Sequence, residues 1–184
     1  MAEYDDTSDI EARIAAVGEK SGFVPNVFSS LAPQPELFRS FFTLHDQLMD
    51  KESPALSKAD RELIAVATSA ENHCTYCVVA HGAVLRIRDK DPEIADQVAV
   101  DWRKAPLDER RRVLLDYASR LARTPERIGP ADAEALRESG FSDDDVWDIV
   151  AIVGFFALSN RLAHAFDIRP NAEFFDLGRH PRED

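Results

Sequence analysis

Basic residues are in short supply. There are 22 lysines and arginines against 34 aspartates and glutamates, so the net charge is -12 and the pI about 4.8. Such a chain offers no positive field to displace counterions from phosphates, which argues against nucleic acid as a partner. An anionic membrane surface is disfavoured for the same reason. Long apolar runs are also missing: the longest, Ile149–Leu158, is about half a membrane span. The opening residues MAEYDDTSDI carry neither the basic n-region nor the apolar h-region of a secretory signal, so the expected location is the cytoplasm. No convincing period-two alternation marks a strand, and there is no repeat or low-complexity tract. Cysteine is nearly absent, with two residues in 184. In the cytoplasm a structural disulfide is rare, and a C-x-x-C pair is more often catalytic, redox-cycling or metal-binding.

What is present reads as helices joined by short loops, an all-α chain of seven or eight helices. The 184 residues suit one domain, with 45% hydrophobic and 30% charged residues. Its parts are an N-terminal helix and arm (1–34), a helical core (35–170) and a C-terminal tail (171–184). Ile10, Ile14 and Val17 lie on one side of a first helix over 9–20. The stretch GFVPNVFSSLAPQP, Gly22–Pro35, has three prolines and several apolar side chains, the mark of an ordered arm lying over the core. Pro35 suits the first position of the next helix, whose apolar face runs from Leu37 to Met49. Ser57 and Asp60 form a capping box for another helix, with Leu63, Ile64 and Ala67 as its buried stripe. Glu71-Asn72-His73 allows a break, since Asn tolerates a left-handed conformation. A new helix then runs from near Cys74 to about Asp89. Pro106 and Asp108 open another, ended by Thr124-Pro125, and Pro130 opens a short one that Gly140 terminates. Ser142, with Asp145 and a Phe141–Val146 staple, starts the last long helix. That helix is apolar almost all round from Val146 to Leu158, so it is expected to be central and buried.

Both cysteines lie in AENHCTYCVVAHGAVLR, residues 70–86. On a helix, Cys74, Cys77, His81 and Val84 share one stripe, and Cys77 and His81 are i, i+4 neighbours. Cys74 falls in the first turn, where free N–H groups and the helix dipole favour an anion. Both thiols therefore have a local reason for a lowered pKa, and the thiolate is the nucleophile. An ordinary thiol of pKa about 8.5 is only a few per cent ionised at neutral pH. Lowering that pKa by two makes most of it thiolate, for about 2.7 kcal/mol. The two-residue spacer also lets the sulfurs close a disulfide, which suits a cycle in which one sulfur becomes a sulfenic acid and the other resolves it. Zinc is a second reading, with Cys74, Cys77 and His81 as three ligands and a fourth to be found elsewhere, Glu62 or another histidine. Inert packing is a third. A thioredoxin needs a strand before its C-x-x-C, a c-type haem needs His where Val78 stands, and a ferredoxin needs more cysteines.

Glu62, then eleven residues, then Cys74, Cys77 and His81 resembles the Glu-x11-Cys-x-x-Cys-x3-His signature of the alkyl hydroperoxidase D (AhpD)-like proteins. These belong to the carboxymuconolactone decarboxylase superfamily. The arm GFVPNVFSSLAPQPELFRSF resembles the N-terminal region of its peroxidase-related branch, and with SNRLAHAFD the resemblance spans roughly residues 20–170. It implies an all-helical fold, a homo-oligomer (trimer or hexamer) and thiol-dependent reduction of hydroperoxides. It also implies a redox-active Cys74–Cys77 disulfide in place of any bound cofactor, reopened by a protein dithiol or lipoyl group. By position, Cys77 is the peroxidatic cysteine and Cys74 the more accessible resolving one. His81 and Glu62 form the relay that removes the thiol proton. Lactone decarboxylation on the same fold is an alternative, though relatives with that chemistry generally lack the cysteine pair. Tyr76 departs from the pattern: the best-known members have His there, and a phenol is a poor proton acceptor at neutral pH. Tyr76 stands between packing and lining the site. Asn160 and His164 are read as satisfied core hydrogen-bonding groups. His45 and His180 carry no special signal. The Phe38, Phe41, Phe42 group and the Phe155, Phe156 pair are read as core or subunit contact.

Overall fold

The computed structural model describes residues 6–180, so the outermost parts of the expected N-terminal segment and tail, 1–5 and 181–184, lie outside it. Ten helices follow one another: α1 Ser8–Ser21, α2 Asn26–Leu31, α3 Pro35–Met49, α4 Lys58–Glu71, α5 Thr75–Asp89, α6 Ile94–Asp101, α7 Glu109–Arg123, α8 Pro130–Glu138, α9 Asp143–Ala165 and α10 Glu173–Asp176. Eight of them have seven residues or more, and no strand occurs among the described residues. The fold is all-α.

The start signals act as the local chemistry requires. Ser57 accepts from the Asp60 N–H while the Asp60 carboxylate accepts from the Ser57 N–H, and Ser142 with Asp145 repeats the box at α9. Pro35 opens α3. The break between α4 and α5 falls one residue later than Asn72 suggests: His73 takes the left-handed turn at φ 55°, and Asn72 stays at φ -89°. Asn72 is held by its side chain, which bonds to Asn160 across the fold at 2.9 Å. The α6 helix carries no start signal that the sequence reading used. It is seated by Ile94, Ala95 and Val98, which pack with Leu63, Val66, Leu85 and Trp102 into a satellite of the main core.

The buried centre of the molecule is α4 rather than α9. Every residue from Ala59 to Ser69 is buried, and α4 packs against α5, α6, α7 and α9. Its charged residues tolerate this because each is paired. Asp60 receives Arg110 and Arg111, Arg61 donates to the Leu48 carbonyl and Asp148, and Glu62 meets His81 and Arg88. The 23-residue α9 is long and apolar enough to cross a membrane by length and composition, yet 56% of its most apolar stretch is buried against the other helices. Its outer face is left open, with Trp147 75% and Leu158 44% exposed.

The arm is ordered and closes over the core. Asn26 N–H donates to Asn171 Oδ1 at 2.8 Å, Asn171 Nδ2 donates to the Val24 carbonyl at 2.9 Å, and Asn26 Nδ2 donates to the Arg169 carbonyl at 2.8 Å. Phe23 meets the buried Phe174 edge-to-face at 4.9 Å. The stretch from Asn171 to Phe174 is thus packed against the arm.

Candidate active site

The α5 N-terminus brings the two sulfurs together. Cys74 is its N-cap rather than part of the first turn, with φ -84° and ψ 95°, and Cys77 stands one turn in. Each is 1% exposed, so Cys74 is no more open to solvent than Cys77, against the expectation from the resemblance. Both are free thiols. The Cys77 thiol and backbone N–H, with Asn160 and His164, are the groups whose electrostatics act on the Cys74 sulfur. Sharing the Cys77 proton outweighs burial and lowers the Cys74 pKa to about 6. Cys77 is pushed well above its ordinary value, first by giving its hydrogen to Cys74 and then by burial. The anion of the reduced pair therefore rests on Cys74, where the helix N-terminus stabilises it.

The surroundings of the two sulfurs differ. Cys77 bonds Ser159 Oγ at 3.5 Å. Ser159 lines a cavity of about 280 Å³, as do Tyr76, Ala80 and His81 from the same helix turns as Cys77. Around Cys74 lie Asn72, Asn160 and His164, which are absent from that lining. Asn160 and His164 are satisfied: Asn160 Nδ2 donates to Ser69 Oγ at 3.0 Å, and His164 Nε2 lies 3.0 Å from the Asn72 carbonyl. The same two groups border the Cys74 sulfur, so they belong to the site as well.

His81 and Glu62 come together although 19 residues separate them. His81 Nδ1 lies 2.8 Å from Glu62 Oε2, and the other carboxylate oxygen receives Arg88 at 2.9 Å. An ionised carboxylate only accepts, so the imidazole N–H is on Nδ1 and Nε2 is the free nitrogen. Among the described residues no hydrogen bond joins His81 to Cys77 directly, although the i, i+4 spacing places them on one stripe. Nor is any group of three or more His, Cys, Asp and Glu set to hold a metal ion among the described residues. Tyr76 is buried and its hydroxyl accepts from the Val27 N–H at 3.3 Å, tying the arm to the turn between the cysteines. Burial pushes the Tyr76 hydroxyl pKa up, so it is no proton acceptor.

The cavity is mostly apolar. Phe41, Phe42 and Phe155 wall it while also belonging to the core, so phenylalanines expected as core or subunit contact also line the cavity. Val27 and Phe28 of the arm and Val17 of α1 close its outer side. His45, which carried no signal in the sequence, faces it at 5.9 Å between ring centres from His81. His45 and Ser159 were not legible because they reach the site from other helices, with no fixed spacing to the cysteines; Arg88 shares α5 with Cys77 and His81 and joins the site only through Glu62 of α4.

Comparison with known proteins places the chain in a family. The carboxymuconolactone decarboxylase family model matches residues 35–101. A crystal structure of an alkylhydroperoxidase AhpD core, an uncharacterised peroxidase-related protein from Ralstonia eutropha JMP134, is 55% identical with a TM-score of 0.91, covering 95% of this chain and 91% of its own. An uncharacterised peroxidase-related protein from Silicibacter sp. TM1040 is 42% identical with a TM-score of 0.89, covering 95% of this chain and 92% of its own. Human Sestrin-2 is 29% identical over 133 residues, 72% of this chain and 26% of its own length, so the chain spans about a quarter of the curated relatives it matches. With the paired sulfurs, the Glu62–His81 contact and the helical frame in agreement, the chain belongs to the AhpD-like, peroxidase-related group of the carboxymuconolactone decarboxylase family.

Proposed function

We propose that the protein reduces organic hydroperoxides with the Cys74–Cys77 pair. One observation carries the reading: two free thiols stand one turn apart at a helix N-terminus, and one of them, Cys77, bonds Ser159 of the wall of a mostly apolar cavity. The likeness to the Ralstonia AhpD core and to the Silicibacter peroxidase-related protein supports the same class of chemistry.

Cys77 attacks, because its neighbours line the cavity and those of Cys74 do not. The pair carries one negative charge, resting on Cys74, and its one proton passes from Cys77 to Cys74 as the Cys77 sulfur attacks the terminal peroxide oxygen. The O–O bond breaks with its electron pair on the alkoxide, which leaves as the alcohol after taking a proton, and Cys77 becomes a sulfenic acid. His81, held by Glu62, takes the Cys74 proton and returns it to the departing hydroxide. Cys74 closes the disulfide and water leaves. A dithiol then reopens the bridge by exchange, receiving the disulfide itself. With both sulfurs 1% exposed, a slender lipoyl arm suits this step better than a dithiol on a globular surface. The protein acts as a homo-oligomer, a reading supported by exposed Trp147 and Leu158 on α9, the kind of surface a second copy buries. Sedimentation checks it: Trp147→Glu should shift the assembly toward monomer.

The test of the chemistry is a thiol count before and after one equivalent of cumene hydroperoxide, beside steady-state turnover with dihydrolipoamide. The wild type should lose both thiols. Cys77→Ser should lose turnover, and Cys74→Ser should accumulate a sulfenic acid that dimedone traps. Normal turnover by Cys77→Ser would overturn the assignment.

A further inference from the structure

The cavity holds a second histidine built like the first. His81 is backed by a carboxylate, Glu62, which is itself tied to an arginine, Arg88. Across the cavity, His45 Nδ1 lies 3.1 Å from Asp46 Oδ1, and Asp46 Oδ2 receives Arg13 at 2.7 Å. The sequence offered no reason to couple these three, since Arg13 comes from α1 and the other two from α3. Asp46 is held ionised, its carboxyl lowered by the His45 hydrogen bond and by Arg13 against the opposing effect of burial. A carboxylate on Nδ1 fixes that nitrogen as the donor and leaves Nε2 as the nitrogen able to meet a ligand. Neither Nε2, of His45 or of His81, has a hydrogen-bond partner among the described residues.

We propose that His45 is a catalytic residue, the acid that protonates the departing alkoxide, with Asp46 as its positioning residue. This rests on the hydroperoxidase reading above. His45 does this as the imidazolium, with one N–H on Nδ1 held by Asp46 and a second on Nε2: the electron pair of the broken O–O bond moves to the alkoxide oxygen, which takes the Nε2 proton to give the alcohol and leaves the ring neutral. His45 then regains a proton from water through its exposed edge, as its side chain is 29% accessible. The charged and titratable groups that face it are Arg13 from α1, Asp46 from its own helix and His81 from α5; α9 presents Phe155, which does not titrate. The division of labour follows from burial. His81 is held by Glu62, which is 2% exposed, while the His45 side chain is the more accessible of the two histidines, 29% against 16%.

An alkoxide is a poor leaving group and needs its proton, whereas a carboxylate leaves without one. The experiment compares cumene hydroperoxide with peracetic acid on wild type, His45→Gln and Asp46→Asn. His45→Gln should lower kcat/KM for cumene hydroperoxide about 100-fold, the usual scale of acid–base assistance, and change peracetic acid by less than about threefold. Asp46→Asn should show the same selectivity at smaller size, and it serves as the probe should His45→Gln fail to fold. Equal losses on both oxidants, or no loss on either, overturn the role of His45 and leave the peroxidase reading standing. A wild type inert toward both oxidants removes that reading and this proposal together.

Discussion

One sulfur of the pair ionises first, and its place on the helix decides which. Cys74, at the N-cap, is lowered to about 6 from an ordinary 9.0, chiefly by the Cys77 hydrogen it shares. The unfolded chain has no such partner. Between pH 6 and 9 the folded chain therefore binds fewer protons at Cys74 than the unfolded one, and stability rises with pH across that window. It is lost again as pH falls through about 6. Cys77 works the other way: held protonated, it makes stability fall as pH rises beyond its ordinary 9.0. Urea unfolding of the reduced protein at a series of pH values should show the rise, and Cys74→Ser should flatten it. Thiolate absorbance should titrate one group near pH 6 and leave the other protonated past pH 9. Two thiols ionising together near 9 would contradict the shared proton.

At the scale of the helices, the site is a property of how α4 and α5 meet. Glu62 is 2% exposed on α4 and holds both His81 and Arg88 of α5. Glu62→Ala leaves those two polar groups without their common partner and should cost about 3 kcal/mol, read as a lower urea midpoint at unchanged m. Glu62→Gln keeps an oxygen for His81 Nδ1–H and should cost less. The C-x-x-C…His stripe was legible because it is local: three side chains on one helix at fixed spacing. The capping boxes at Ser57 and Ser142 were legible for the same reason. The place of Glu62 beside His81 was reached through the resemblance, since no local rule tells which way α4 faces. The centre of the core was misread because hydropathy ranks α9 above α4. Burial follows pairing as well as hydropathy, and Asp60, Arg61 and Glu62 go inside because Arg110, Arg111, Asp148 and Arg88 meet them there.

Across the whole molecule, the N-terminal arm and the stretch around Phe174 meet at the cavity wall. The arm supplies Pro25, Val27 and Phe28 to its wall, and the segment around Asn171 and Phe174 holds the arm down. Asn171 alone makes two of these bonds, to the Asn26 N–H and the Val24 carbonyl. Each such bond is worth about 0.5–1.5 kcal/mol net, so Asn171→Ala should cost on the order of 1–2 kcal/mol. The loss should be local. Amide exchange should quicken across residues 23–28 while the α4 core keeps its protection. A looser wall holds a bulky hydroperoxide less well, so KM for cumene hydroperoxide should rise more than kcat falls. The Cys74 midpoint near 6 should stay in place, because the groups that set it lie on α5 and α9. Hydrogen exchange by mass spectrometry decides the matter: unchanged exchange over 23–28 in Asn171→Ala would mean that the arm is held by Phe23 and its apolar contacts, and that the asparagine clasp is incidental.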